Sequence, residues 1–410
     1  MKRQANIPLE HGDKHSKSTG RNDRLKTYPQ LFDKAFPYFR EPVENGCFSL
    51  DARRQFRHDS SQLRVFSPPA DWKRCLFDLR SGYGDMIKRD ETKKEYLDDL
   101  LRWIMCNKHK FMSRQKLETT SDSKTLKHGT EQADIPNVFD SLNTDFICWR
   151  GLLTRLLCIP YENREDLLVA VVRFRGTYFM CEFDTERKKQ EVQERTPKQE
   201  EMCAWGFKFE QYVTADKSSG ARDTKLRVNT NTAFCSVARS RLGSHSIVFG
   251  AEVDCQDGNS KRGNVYVELK TSRVIESQRQ YENFCKFKLI KWWAQSFLIG
   301  IPRIVCGFRD DNGVVQTLQN YPVHEIPAMV KACVRQPWKP SVCFNFLEAF
   351  LQFVKANITT DDERCVYLFR WQPGSDVICQ RQGDDPEFYF LPDWFTSWDA
   401  WGTPLSQDHQ

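Results

Sequence analysis

The 410-residue chain has no apolar run approaching the ~18 residues of a bilayer-spanning helix; Leu167–Val172 is among the longest. Its opening, Met1-Lys2-Arg3-Gln4-Ala5-Asn6, leads into polar residues without an apolar segment, so no secretory signal is expected. No Cys-x-x-Cys pair occurs among the 15 cysteines, and the eight histidines do not gather around them, which argues against structural zinc. With no secretory signal, those cysteines read as reduced, mostly buried thiols. There is no internal repeat and no dense basic cluster.

What is present describes a large soluble fold. The chain is 40% hydrophobic, 13% aromatic and 28% charged, with 29 Phe, 12 Tyr and 11 Trp to build a core. That length permits two domains or one large α/β domain. The net charge of +6 is uneven. Residues 1–26 hold seven Lys/Arg against three acidic residues, which leaves the remainder nearly neutral. Recognition of a polyanion would therefore have to come from local placement. Ser113–Asp134 and Thr185–Glu201 are polar and charged, and are expected to be surface loops.

Leu97, Leu100, Leu101, Ile104 and Met105 fall on one helical stripe, as do Leu347, Phe350, Leu351 and Val354. A third helix is predicted over 277–298, stopped by Gly300 and Pro302. Strands are predicted at 167–174, 177–183, 245–255, 264–271, 303–308 and 364–371, with a hairpin at Arg175-Gly176. Helices and strands interleave without a strict βαβ rhythm, which predicts a mixed α/β fold.

Two strands carry the chemistry. Period-2 alternation puts Glu252 and Asp254 on one face of the first, and Glu268 and Lys270 on one face of the second. The turn-forming residues 256–263 would allow the two to pair as an antiparallel hairpin, gathering three carboxylates and one ammonium. Such carboxylates repel unless a cation or protons neutralise them. All-oxygen donors suit Mg²⁺ or Mn²⁺, and a metal so held could polarise a phosphoryl oxygen while Lys270 orients water. Solvated charged faces on edge strands are the plainer alternative. Glu210, amid Trp205, Phe207, Phe209 and Tyr212, reads equally as a further ligand or as a helix-end carboxylate. Arg150, between Trp149 and Gly151, suits a phosphate or a structural ion pair. Lys288, Lys291, Trp292 and Gln295 share one helical row, facing either a nucleotide or the core.

These segments, read together, resemble the DXO decapping exoribonucleases. The likeness is carried by 46–52, Trp149-Arg150-Gly151, 206–212, Asn229-Thr230-Asn231, 234–236, 239–245, 252–255, 266–272 and 291–298, in order, from about Tyr38 to about Trp394. The resemblance implies a single large domain, PD-(D/E)xK-nuclease-like, with a mixed sheet and a smaller antiparallel sheet flanked by helices. That domain would span 28–400, between a disordered basic tail at 1–27 and a flexible one at 401–410. It also implies metal ligands at Glu210, Glu252, Asp254, Glu268 and the Leu269 carbonyl, holding two Mg²⁺ ions that Mn²⁺ could replace. Glu252, Asp254, Glu268, Lys270 and Gln295 would then be catalytic, the last two holding the scissile phosphate and attacking water. Arg54, Glu95, Trp149, Arg150, Gly151 and Cys235 would touch the RNA 5′ end.

The activities implied are release of NAD caps and incomplete guanosine caps, pyrophosphate release from 5′-triphosphate RNA, and 5′-to-3′ digestion of 5′-monophosphate RNA. A monomer in the nucleus, with cytoplasm as a second compartment, no membrane contact and a 5′-3′ exoribonuclease partner, follows from the same likeness. A non-catalytic RNA-end-binding or exoribonuclease-stimulating partner is the alternative, against which the intact acidic set stands. A DNA nuclease is excluded only by the family match.

Overall fold

The computed structural model describes residues 23–111, 141–258, 260, 265–383, 385–397 and 401. Ten strands form the first sheet, in the order 24–25, 377–381, 362–371, 167–174, 177–183, 146–149, 245–252, 233–242, 39–50 and 56–57. All neighbours are antiparallel except Phe146–Trp149, which runs parallel to the strands on both its sides. Seven strands form the second sheet, in the order 77–78, 314–322, 303–309, 266–273, 255–256, 65–66 and 214–215.

Strand alternation distributes the core. Leu167, Val169 and Val171 pack with the helices Arg150–Cys158, Leu289–Ile299 and Pro340–Asn357. Leu168, Ala170 and Val172 pack on the other face with the helix Asp98–Cys106. In the second sheet, Val267, Leu269 and Val305 meet Trp205, Phe209 and Val213 of the helix Pro197–Val213. Ile304, Cys306 and Tyr321 point the opposite way and share the first core, which joins the two sheets around the helix 289–299.

The three predicted helices form, the third as Gln278–Asn283, a π-helical turn over Phe284–Lys288, then Leu289–Ile299 capped by left-handed Gly300. The Arg175-Gly176 hairpin also forms, with φ of 49° and 74° at its centre. Among the described residues no helix is long and apolar enough to cross a membrane.

Four expectations are corrected. The second sheet is mixed rather than antiparallel, because 266–273 pairs parallel with 303–309 through the intervening helices and 255–256 pairs parallel with 65–66. Thr185–Glu201 is largely helical, with Glu186–Gln193 capped by Thr185 and Pro197–Val213 opened by a capping box of Thr196 and Gln199. The Thr-Pro-x-Gln pattern carried that signal, but the alternating charges suggested a solvated loop. Order extends at least to Asp23, since Arg24–Leu25 pairs with Ile378 and Val377. Trp401 is buried, its indole N–H donating to the Phe395 carbonyl. Residues 113–134, 1–22 and 402–410 lie outside the described residues.

Candidate active site

Glu252 and Glu268 do not sit on one hairpin. The strand His245–Glu252 belongs to the first sheet, whereas Tyr266–Arg273 belongs to the second. The chain crosses between sheets at Val253-Asp254, and only the short Cys255–Gln256 pairs antiparallel with Val267 and Tyr266. The acidic residues therefore meet at the junction of two sheets, brought there by interior strands of each.

Glu268 is completely buried. Lys270 Nζ and Gln295 Nε2 each donate to its Oε1 at 2.6 Å, and Arg150 Nη1 lies 3.5 Å from Oε2. Burial alone would raise this carboxyl, but the Lys270 and Arg150 charges overcome it and hold Glu268 below the ordinary range. Burial likewise works against the Lys270 cation, and the facing Glu268 and Asp254 carboxylates turn its shift upward. Asp254 is pushed up to about 7, first by burial and then by Glu268; the Leu269 N–H, donating to Oδ2 at 2.6 Å, and Lys270 offset only part of this. Glu210, three residues from the end of helix 197–213, is raised well above its usual range by burial and then by Asp254 and Glu252.

Thus one carboxylate is paired directly with cations, whereas the Lys270 charge offsets the other two only in part. Among the described residues no three acidic, histidine or cysteine side chains close around a single point. The donors nevertheless fit a hard divalent cation, being oxygen throughout and, at Glu210 and Asp254, short of positive charge. Leu269 itself lies between Glu268 and Lys270, its side chain in the core.

The remaining site residues form the mouth. A cavity of about 1380 Å³ is lined by Arg54, Glu95, Trp149, Gly151, Cys235 and Glu252, among others. Glu252 is the link, exposed to this cavity and repelling Glu210 and Asp254 behind it. Cys235 pairs directly across from Glu252 and is 3% exposed; burial and then Glu252 push its thiol up, so it is a wall residue and not a nucleophile. Arg54, at φ 62°, donates through Nε and Nη2 to Glu95 at 3.0 and 2.9 Å.

Trp149 ends the strand 146–149 and Arg150 opens the helix that follows. The Trp149 indole N–H donates to the Tyr96 carbonyl at 2.7 Å, and its ring occupies the space above Gly250. A Cβ at 250 would stand 2.6 Å from that ring, so glycine there lets Trp149, and Arg150 after it, take their places. Gly307 gives Phe209 the same room beneath Glu210, at 2.6 Å.

The row on helix 289–299 does not act together. Gln295 reaches Glu268, but Lys288 donates to Ser272, Lys291 pairs with Glu162 and Glu165, and Trp292 packs against Phe284 and Tyr321. The π turn before the helix rotates Lys288 out of a simple row with the others. Asp99 escaped the sequence reading; it is 6% exposed, lines the cavity and pairs with Arg102. In sequence it is one of two first-turn acids and carries no other mark.

A family model described as RAI1 like PD-(D/E)XK nuclease matches residues 40–396. The chain belongs to this family. The decapping and exoribonuclease protein of Mus musculus is 42% identical over 376 residues, 90% of this chain and 88% of that one. Among solved structures, S. pombe Rai1 in complex with 3′-FADP superposes with a TM-score of 0.67 at 26% identity, covering 87% of this chain and 98% of that one. Scheffersomyces stipitis Rai1 in complex with (3′-NADP)⁺ and calcium ion does so at 0.68 and 25%, covering 86% and 96%. As a RAI1-like nuclease of the decapping exoribonuclease group, the protein is a hydrolase.

Proposed function

We propose that this RAI1-like nuclease is a divalent-metal-dependent hydrolase of RNA 5′ ends. In this reading one pocket removes NAD caps and incomplete guanosine caps, releases pyrophosphate from 5′-triphosphate RNA, and digests 5′-monophosphate RNA 5′ to 3′. The observation that carries it is Glu252, which joins a cation-deficient carboxylate cluster to a cavity large enough for more than one nucleotide. The dinucleotide ligands held by the S. pombe and Scheffersomyces stipitis relatives, with calcium in the latter, support the same substrate class and a divalent cation.

Glu210, Glu252, Asp254, Glu268 and the Leu269 carbonyl would hold two Mg²⁺ ions, or Mn²⁺ in their place. A bound ion supplies phosphoryl polarisation and a more acidic water. The chain supplies the rest. Lys270, fixed by Glu268 at 2.6 Å, sets a positive charge where the phosphorane gathers negative charge. Gln295 spends its amide N–H₂ on Glu268, which leaves the amide oxygen to accept a hydrogen bond from the attacking water and aim it. Arg150 stiffens the same carboxylate, and its remaining guanidinium donors would be offered to phosphate. Arg54, Trp149, Gly151 and Cys235 shape the mouth that receives the 5′ end. Caps would then differ only in what fills the outer cavity.

The test is purified protein with Mg²⁺ or Mn²⁺ and RNAs bearing 5′-NAD, triphosphate, monophosphate or methylated caps, beside single-stranded DNA. Activity on RNA ends, abolished together by Glu252→Ala with Asp254→Ala, is expected. Inactivity on every RNA would overturn the reading, and NAD-cap release that survived loss of exonuclease would overturn the single pocket. Nuclear residence as a monomer, with a 5′-3′ exoribonuclease as partner, belongs to the same proposal and is checked by imaging and co-purification of the tagged protein.

A further inference from the structure

Asn229-Thr230-Asn231 has no part in the chemistry above, yet it ties together two arginine-bearing segments of the cavity wall. Asn229 Nδ2 donates to the Ala52 carbonyl at 3.0 Å, and its Oδ1 accepts from the Asn231 backbone N–H and from Asn231 Nδ2 at 3.0 and 2.8 Å. Asn231 in turn offers its backbone carbonyl to Arg54 Nη1 at 3.0 Å. Arg54 stands at φ 62°, a region where a long side chain is strained unless its surroundings fix it. The Asn229 side chain is thus the support under that turn.

On its other side the same triplet grips the segment 87–89. Ile87 bridges Asn229, with Ile87 N–H donating to the Val228 carbonyl and Thr230 N–H donating to that of Ile87. The Arg89 N–H donates to Thr230 Oγ1 at 2.8 Å. Arg89 also lines the cavity, beside Arg54 and Glu95. Its Nη1 lies 3.6 Å from Glu95 Oε2, too far for a hydrogen bond, and the side chain is 42% exposed. Glu95 already takes three hydrogen bonds from two nitrogens of Arg54. The trio Arg54–Glu95–Arg89 therefore leaves one positive charge uncompensated within the group, on the side chain with donors to spare.

We propose that Arg89 is a further phosphate-binding cation of the 5′-end pocket, and that Asn229 is the positioning residue that sets Arg54 and Arg89 on the cavity wall. The assignment rests on the 5′-end reading above. Its substrate class is the polyphosphate of a 5′ end, whose extra charge a cation beyond Arg54 would meet.

The experiment compares steady-state kinetics on one RNA sequence bearing a 5′-triphosphate, 5′-monophosphate or 5′-hydroxyl, with melting temperature as a folding control. For Arg89→Ala, KM on the triphosphate should rise about 10-fold with kcat within about twofold, a charge-assisted contact made equally in both states. The effect should shrink for the monophosphate and vanish for the hydroxyl, and Arg89→Lys should recover most of it. Asn229→Ala should raise KM on the same substrates, and adding Arg89→Ala to it should do little more, as expected of coupled residues. Asn229→Asp, which keeps the acceptor and loses the bond to Ala52, should fall between. An Arg89→Ala enzyme with unchanged KM on the triphosphate, or one impaired equally on all three ends, overturns the inference while the 5′-end reading stands. A wild type inactive on all three RNAs overturns that reading, and the inference with it.

Discussion

Glu268, fully buried, and Asp254, half-buried, lie on either side of one sheet junction and sit in opposite electrostatic states. Glu268 has Lys270, Arg150 and Gln295 on its two oxygens and is held charged. Asp254 has the Leu269 N–H and only a partial offset from the Lys270 charge, and burial with Glu268 pushes it up to about 7. The difference divides the site into a self-neutralised half that positions and a charge-deficient half that awaits a cation. The same residue type serves both because the neighbours, and not the carboxyl, decide its protonation.

The largest expected effect comes from breaking the neutralised half. Glu268→Ala strands the buried Arg150 charge and the half-buried Lys270, so folding should lose about 3–5 kcal/mol along with all activity; denaturant unfolding measures the first, and an unfolding midpoint like wild type would show the pairs to be dispensable. Lys270→Ala should lower kcat about 10²–10³-fold, as loss of a preorganised transition-state charge does, with substrate affinity less affected. Gly250→Ala pushes a Cβ to 2.6 Å from the Trp149 ring and should destabilise the protein by about 1–3 kcal/mol. Because Trp149 leads into Arg150, the substitution should also weaken the 5′-end pocket, raising KM.

The smallest effect sharpens the charge-deficient half. A carboxyl whose folded pKa is raised contributes stability that is present below its ordinary range near 4 and is lost as pH rises through about 7. In EDTA, the melting temperature of wild type relative to Asp254→Asn should therefore fall between pH 5 and pH 8 (a window about this shift), and Mn²⁺ should remove the fall. A flat difference across that range would place Asp254 in an ordinary environment.

Much of this arrangement was legible in the sequence, for definite reasons. Alternation along 245–252 and 266–273 put Glu252 apart from Val253, and Glu268 and Lys270 apart from Leu269, because strand geometry has a fixed period. The amphipathic stripes of 98–106 and 340–357 were equally plain. What alternation does not encode is which sheet a strand joins. The hairpin expected between Glu252 and Glu268 failed because Val253-Asp254 switches sheets, a tertiary choice set by the helices 150–158 and 289–299 packed between them. The parallel pairing of 266–273 with 303–309 is hidden for the same reason. Gly250 and Gly307 are silent in sequence until Trp149 and Phe209 are seen above them. Glu210 was ambiguous because a helix-end carboxylate and a metal ligand look alike until their neighbours are known.

The division into two halves is tested most directly by calorimetric titration of Mn²⁺ into metal-free protein, comparing wild type, Glu210→Gln with Asp254→Asn, and Gln295→Ala. The account predicts that wild type and Gln295→Ala bind the ion, and that the doubly substituted protein, still folded, does not. Equal binding by all three, or loss of binding in Gln295→Ala alone, would contradict it.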